Sequence, residues 1–222
     1  NSKTLYAGAN MVFKSENRGD SWKCISPELS GNMGPERQGD VPFGTITDIS
    51  ESALKKGLLY AGTDDGQVHV TKDDGATWSK INNGLPNKWV SRVVASKYDE
   101  GKVFVSLTGY REDDFEAYLY VSTDFGETWK SLSNNMPSES INVIREDPTD
   151  QDILYVGTEL GAYCSIDNGK AWYSLCKTLP TCAVHDLALH AGTGDLVAGT
   201  HGRSAFVLNT KEIQKKKQGI VK

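Results

Sequence analysis

Short runs in which apolar and polar residues alternate punctuate this chain, and glycine or proline closes most of them. Gln67-Val68-His69-Val70 and Tyr118-Leu119-Tyr120-Val121 are examples. A period of two places alternate side chains on opposite faces of a strand, so these segments predict half-buried β-strands. A second kind of run is apolar or small throughout. Leu5-Tyr6-Ala7-Gly8 is matched by Leu59-Tyr60-Ala61-Gly62, Leu154-Tyr155-Val156-Gly157 and Leu196-Val197-Ala198-Gly199. A Thr-x-x-Gly turn follows at Thr63 to Gly66 and Thr158 to Gly161, with a displaced Gly202 after Thr200.

Between these runs a third pattern recurs. Ser15-Glu16-Asn17-Arg18-Gly19-Asp20-Ser21-Trp22 is repeated as Thr71 to Trp78, Ser122 to Trp129 and Ser165 to Trp172. The tryptophans return at a spacing of roughly 40 to 56 residues, the length of one four-stranded propeller blade. The predicted fold class is therefore all-β, a β-propeller of four-stranded antiparallel blades. There are about five blades, with strands A to D in each complete one. Blade two runs from about Ile46 to Ile81, blade three from Val90 to Leu132 and blade four from Ile141 to Leu175. Blade one has strands B, C and D. Blade five has A near Val184 to Leu189, B near Leu196 to Gly199 and C near Ala205 to Leu208. Residues 1–210 are read as blades, the C-terminal portion of a larger propeller. Residues 211–222 form a basic tail, a short helix or a disordered end.

The repeated box needs its residue types. Asp or Asn at its third position accepts backbone N–H groups inside a tight turn, and glycine supplies a positive φ. The tryptophan covers apolar surface between blades. Asn17, Asp73, Asp124 and Asp167, with Trp22, Trp78, Trp129 and Trp172, are expected to be structural. A single active site needs no fourfold repetition. Box four has Ala171 where the others carry a hydroxyl, and is expected to be the loosest.

The net charge of -5, from 24 basic and 29 acidic residues, argues against a nucleic-acid surface. No apolar run is long enough to span a bilayer. Cys24, Cys164, Cys176 and Cys182 fit no zinc spacing and read as buried thiols, with a Cys176–Cys182 bridge as the alternative. The Asp-Asp pairs at 64–65, 73–74 and 113–114 lack a full calcium loop, so neither metal nor cofactor is expected.

The boxes and the Leu-Tyr-Ala-Gly-Thr strand resemble the Asp-box (BNR) repeat proteins, which include sialidases, xyloglucanase-type hydrolases, photosystem assembly factors and the sortilin ectodomain. Asp147-Pro148, Ile153 to Thr158, Asp167-Asn168-Gly169 and Trp172 look like a standard blade of sortilin-like, glycosyl-hydrolase-like bacterial propellers. Gly199 to Ser204 followed by Phe206-Val207-Leu208 looks like their closing blade. The resemblance implies a secreted or periplasmic location. Sialidase chemistry does not carry over, because the chain has six arginines and no Arg-Ile-Pro segment.

Two readings of function follow. One is a non-catalytic propeller that binds carbohydrate or protein on the face opposite the boxes. The other is part of a xyloglucanase-type glycoside hydrolase, for which Asp48 and Asp186 are the candidate carboxylates. Asp48, Arg92, Asn142 and Asp186 are expected at corresponding positions of the A strands. Long connections at 26–44 and 108–117 fall on the face away from the boxes, with Arg37, Asp40 and Phe43 in the first. Trp89, Tyr110, Arg111, Glu159, His201 and Arg203 are the candidate ligand contacts. The expected partners are that carbohydrate or peptide ligand and either a missing propeller half or a second copy.

Overall fold

The computed structural model describes residues 3–31, 43–175, 177 and 179–220. Glycine-bearing turns cut these residues into short antiparallel strands. Sheet one is Leu5–Gly8 (β1), Val12–Ser15 (β2) and Lys23–Cys24 (β3). Sheet two is Ile46–Glu51 (β4), Leu59–Thr63 (β5), Val68–Thr71 (β6) and Ser79–Lys80 (β7). Sheet three is Trp89–Ala95 (β8), Val103–Gly109 (β9), Asp114–Ser122 (β10) and Lys130–Ser131 (β11). Sheet four is Ile141–Glu146 (β12), Leu154–Thr158 (β13), Ala162–Ser165 (β14) and Tyr173–Ser174 (β15). Sheet five is Val184–His190 (β16), Asp195–Thr200 (β17) and Ala205–Asn209 (β18), and the helix Lys211–Ile220 (α1) follows it. The expected blades are thus present, three-stranded at each end of the series and four-stranded between. Each sheet is a meander in sequence order, which gives the β-propeller class.

Two compact units divide the chain, residues 1–105 with 121–130 and residues 106–120 with 131–222. In the first unit the core between sheets one and two holds Val12, Ile25, Leu29, Ile46, Leu59 and Ala61, flanked by Tyr6, Ile49 and Trp78. In the second unit the core between sheets four and five holds Val143, Ile153, Tyr155, Ala162, Cys164, Val184, Leu187, Leu196 and Ala198.

The glycine of each Leu-Tyr-x-Gly strand has a packing reason. A Cβ on Gly8 would stand 2.8 Å from the Ile46 side chain, and one on Gly157 would stand 2.7 Å from Val184. The first residue of the next sheet presses onto this backbone, so no side chain fits there.

The box turns are built alike. The hydroxyl of the first box residue donates to the third residue's side chain and accepts the glycine N–H, as in Thr71–Asp73 at 2.8 Å and Gly75–Thr71 at 2.9 Å. Asp73 also accepts the Thr77 N–H and hydroxyl at 2.9 and 2.6 Å, and Asp124 accepts those of Thr128 at 2.9 and 2.5 Å. The residue before each box glycine takes a left-handed φ, from 59° at Asn168 to 64° at Arg18. Each turn also leans on the residue two positions before β1, β5, β9 or β13 of its own sheet. The N–H of Arg18, Asp74, Phe125 and Asn168 donates to the carbonyl of Lys3, Gly57, Gly101 and Asp152 respectively.

The tryptophans reach backward. Trp78 Nε1 donates to the Ile25 carbonyl at 2.8 Å, Trp129 to that of Ile81 at 2.8 Å and Trp172 to that of Leu132 at 2.7 Å. Each acceptor directly follows the outer strand of the preceding sheet. The box glycine lies over the same residue, so that a Cβ on Gly75 would meet the Ile25 backbone.

Two expectations need correction. Box four is not loose. Asp167 still accepts the Ala171 N–H at 3.0 Å, and Asn135 brackets Trp172 by accepting its N–H at 2.8 Å and donating to its carbonyl at 3.0 Å. Asn134 adds a bond to the Gly169 carbonyl, so a side-chain clamp replaces the missing hydroxyl. Cys24 is exposed on its two-residue outer strand, and Cys182 is half-buried, while Cys164 alone of the described cysteines is buried. Cys176, and with it the proposed bridge, lies outside the described residues. Of the two forms expected for the tail, the helix is found over Lys211–Ile220, docked by Ile213, Gln214 and Lys217.

Candidate functional site

The hairpin β9–β10 carries the most exposed aromatic pair of the second unit. Its strands are seven and nine residues long, against four or five for the matching strands of sheets two and four. The extra length lifts its tip, a single 3-10 turn at Tyr110–Glu112, clear of the sheet. Asp113 closes that turn in the left-handed region at φ 54°. Asp114 then fixes the return strand, accepting the Glu116 N–H at 3.1 Å and the Tyr118 hydroxyl at 2.8 Å. On this frame the Tyr110 and Phe115 rings meet edge to face, with centroids 5.7 Å apart and an interplanar angle of 74°. They remain 52% and 48% exposed. Edge-to-face contact fixes both rings while leaving their faces open, which suits a ligand with apolar C–H surface.

Polar groups of the same unit stand on the connections at this end of their sheets. Glu116 accepts from the Ser138 hydroxyl at 3.1 Å. Glu139 accepts the Thr158 hydroxyl at 2.6 Å and the Tyr163 hydroxyl at 2.9 Å. Glu159 accepts from the Asn142 amide at 2.9 Å. His201 lies between β17 and β18, its ring 5.4 Å from that of His185. Arg203, in the same turn, is exposed. Tyr110, Arg111, Glu159, His201 and Arg203 therefore share one unit, and all sit on second-to-third strand connections. Trp89 belongs to the first unit, where it packs edge-on against Phe43 at 5.8 Å. Arg37 and Asp40 lie outside the described residues.

The two candidate carboxylates sit in different units, each bonded to a strand of another sheet of its own unit. Asp48 accepts the Val93 N–H at 2.9 Å and stands 3.9 Å from the Arg92 guanidinium. Asp186 accepts the Leu187 N–H at 2.9 Å and an Arg145 guanidinium nitrogen at 2.7 Å, while Arg145 Nε donates to the Leu187 carbonyl. Both follow a register shift at the start of their strand, between Ile46 and Asp48 and between Val184 and Asp186. At the same shift in sheet four stands Val143, so Asn142 matches Thr47 and His185 rather than the two aspartates. The gap-free alignment of Ile46-Thr47-Asp48, Ile141-Asn142-Val143 and Val184-His185-Asp186 already carries this offset, since all three sheets share the bulge.

Burial sets the titration of several groups. Asp65, buried, is held above the usual carboxylate range by desolvation, partly offset by the Thr63 hydroxyl. His69 is pushed down to about 4 by burial and by Lys80 nearby. Among the described residues no group of three or more His, Cys, Asp or Glu side chains gathers to hold a metal. Among the described residues no helix is long and apolar enough to cross a membrane.

A family profile described as Sortilin, neurotensin receptor 3 (Sortilin-Vps10) matches residues 10–136, more than half of the chain. This chain belongs to the Sortilin-Vps10 family. The sortilin-family chain is also similar to the xyloglucanase Xgh74A of Acetivibrio thermocellus, with 28% identity over 146 residues, 58% of this chain and 17% of the enzyme. It thus spans about a sixth of the length of that curated relative. Among solved structures it is similar to the GH74 xyloglucanase of Xanthomonas campestris, with a TM-score of 0.69 and 17% identity, covering 93% of this chain and 34% of that one. The extracellular domain of BT4673 from B. thetaiotaomicron gives a TM-score of 0.63 at 16% identity, covering 93% of this chain and 25% of that one. At such identities these structural likenesses establish the fold of the sortilin-family chain and nothing further.

Proposed function

We propose that this chain is a non-catalytic carbohydrate-binding part of a propeller, working outside the cytoplasm, with its ligand on the end of the sheets away from the box turns. The carrying observation is the Tyr110–Phe115 pair, held edge to face and half exposed on a lengthened hairpin. Glu159, His201 and Arg203 supply polar contacts on neighbouring connections of the same unit. The fixed state of Asp48 and Asp186, each engaged by a backbone N–H and an arginine, favours binding over hydrolysis. The alternative, part of a glycoside hydrolase, is supported by the 28% identity with a xyloglucanase.

Titration calorimetry with xyloglucan oligosaccharides tests the reading. Tyr110→Ala and Phe115→Ala should each weaken binding by about tenfold, the effect of losing about 1.4 kcal/mol of contact. Arg203→Ala should weaken it less. Binding that survives all three changes, or that crosslinks to the box turns, would overturn the placement. Release of reducing sugar abolished by Asp48→Asn or Asp186→Asn would favour the hydrolase. A peptide panel that binds where oligosaccharides do not would move the ligand to protein. The exposed strand β18, with Val207 at 67% and Leu208 at 39% on its two sides, suits association with a second copy or a further propeller segment. Light scattering at micromolar concentration checks for the first.

A further inference from the structure

Sheet five has no box and no tryptophan, yet the core beneath the missing turn is closed. The two end junctions can be matched residue by residue. Tyr6 and Tyr155 occupy the same register, opposite Lys14 and Cys164, and Gly8–Val12 matches Gly157–Ala162. Ile25 and Leu29, which follow Trp22, match Leu175 and Leu179, which follow Trp172. Ile46, Ile49, Leu59 and Ala61 of sheet two match Val184, Leu187, Leu196 and Ala198 of sheet five. The remaining member against the first core is Trp78, and the remaining late member against the second is Ile213 of α1.

Polar anchors follow the same correspondence. In sheets two to four a box N–H donates to a first-hairpin carbonyl. In sheet five the Thr210 N–H, at the start of α1, donates to the Gly194 carbonyl at 2.7 Å. The helix then reaches across to the first hairpin of sheet four. Gln214 donates to Thr149 at 2.9 Å and to the Asp147 carboxylate at 3.3 Å. Lys217 donates to Asp150 and Asp152 at 2.5 and 3.0 Å, with its side chain only 16% exposed. Lys14 shows what lies under this turn, since it sits at the register of Cys164 and bonds Asp74 of the next box at 2.7 Å. The position of Cys164 is therefore directly beneath the element that stands in for the box.

We propose that α1 is a releasable substitute for a fifth box, a latch that seats Ile213 in a tryptophan slot and is held shut by Lys217 against Asp150 and Asp152. A box is locked between two strands, whereas α1 is tethered by Thr210 and by side chains. Its mean hydropathy is low, with Ile213 as its apolar anchor, so the helix can leave without unfolding the sheets. Release opens an apolar slot over Leu175 and Cys164. Salt is the natural trigger, because the pairs that close the latch are partly exposed and are screened as the Debye length shrinks.

Peptide-resolved alkylation of the whole chain with iodoacetamide reads the latch through Cys164, with exposed Cys24 as the internal reference. In the wild type, the Cys164 rate should rise several-fold between about 0.05 M and about 1 M NaCl, while the Cys24 rate stays level. Lys217→Glu should raise the low-salt rate and flatten the salt response. Ile213→Ala should raise the rate about tenfold at every salt concentration. Ile213→Trp, which restores the side chain used in the other junctions, should keep Cys164 protected. A wild-type Cys164 rate that ignores salt, together with a Lys217→Glu rate equal to wild type, overturns the latch even if the Ile213 variants fail to fold. Cys164 exposure in Ile213→Trp as large as in Ile213→Ala overturns the slot assignment.

Discussion

The junction between sheets one and two and the junction between sheets four and five share a frame but are closed by different chemistry. In the first, Trp78 brings an indole, and its N–H reaches the Ile25 carbonyl. Lys14, nearly buried, adds bonds to both oxygens of Asp74 at 2.9 and 2.7 Å. Its ammonium stays protonated more firmly than usual, because bonds to Asp74 and Glu16 outweigh its desolvation. In the second, an isoleucine on a helix closes the core, and Cys164 replaces the lysine. Burial pushes that thiol up to about 11. Compensation comes from Asp147, fully buried, which accepts the Thr149 and Asp150 N–H groups and the Tyr155 hydroxyl at 2.9 Å. In sheet two, onto which Trp129 of the following sheet reaches back, the equivalent hairpin residue is Ser52, which accepts the Leu54 and Lys55 N–H groups but leaves the buried Tyr60 hydroxyl without a hydrogen-bond partner among the described residues. Where the tryptophan is present the hairpin needs only a short acceptor. Where it is absent a carboxylate gathers the tyrosine, the turn and the helix.

Substitutions that strip an indole test the first design most sharply, at its own junction and at the like-built one between sheets three and four. Trp172→Ala removes a side chain that is 4% exposed, together with its bond to Leu132, and should cost about 3–5 kcal/mol in chemical denaturation. Trp78→Ala, whose side chain is less buried, should cost about 3 kcal/mol. A cost below about 1 kcal/mol for either would show that the indoles are ornaments on a core that closes without them. Tyr155→Phe takes a bond from a buried carboxylate and should cost about 1.5–3 kcal/mol. Tyr60→Phe should be neutral or slightly stabilising, since it removes a buried hydroxyl with no partner. Equal costs for the two tyrosines would erase the difference drawn between the hairpins.

The smallest effect appears at the acid edge of stability. Hydrogen bonds from Thr77 draw Asp73 down to about 2, and bonds from Ser122 and Thr128 do the same for Asp124. Folded values below the unfolded ones mean that this stabilisation is complete above about pH 4 and is lost as pH falls through about 2. Asp73→Asn or Asp124→Asn should therefore lower the melting temperature at pH 7 and flatten its decline between about pH 4 and 2. A decline of unchanged steepness would place the acid-sensitive groups outside the boxes.

The sheets were legible because most of them repeat parts of the same text. Alternation, a glycine that cannot carry a side chain and the box turn all recur, so one well-read copy locates the others. The helix was not legible in the same way. Ile213, Gln214 and Lys217 repeat nothing, and their partners Asp147, Asp150 and Asp152 lie more than sixty residues earlier. The Asn134–Asn135 clamp on box four escaped for a similar reason, since its signal is a pair of amides in an ordinary connection. The candidate site was half visible. A lengthened hairpin with two aromatics could be read from the sequence, but the edge-to-face packing of Tyr110 on Phe115 is a matter of geometry. The offset of Asn142 from Asp48 and Asp186 was legible too, since Ile141-Asn142-Val143 aligns without a gap on Ile46-Thr47-Asp48 and Val184-His185-Asp186.

Every indole bond described above points toward the N-terminus. The acceptors Ile25, Ile81 and Leu132 precede their donors by 53, 48 and 40 residues. On a ribosome, then, each acceptor has emerged and been threaded into its sheet before the tryptophan that seeks it is synthesised. A junction is completed by the arriving segment alone and never waits for chain still to be made, so assembly can proceed in the direction of translation, one sheet at a time. A sequence built on that rule can lengthen at its C-terminal end by duplication without disturbing the junctions already closed.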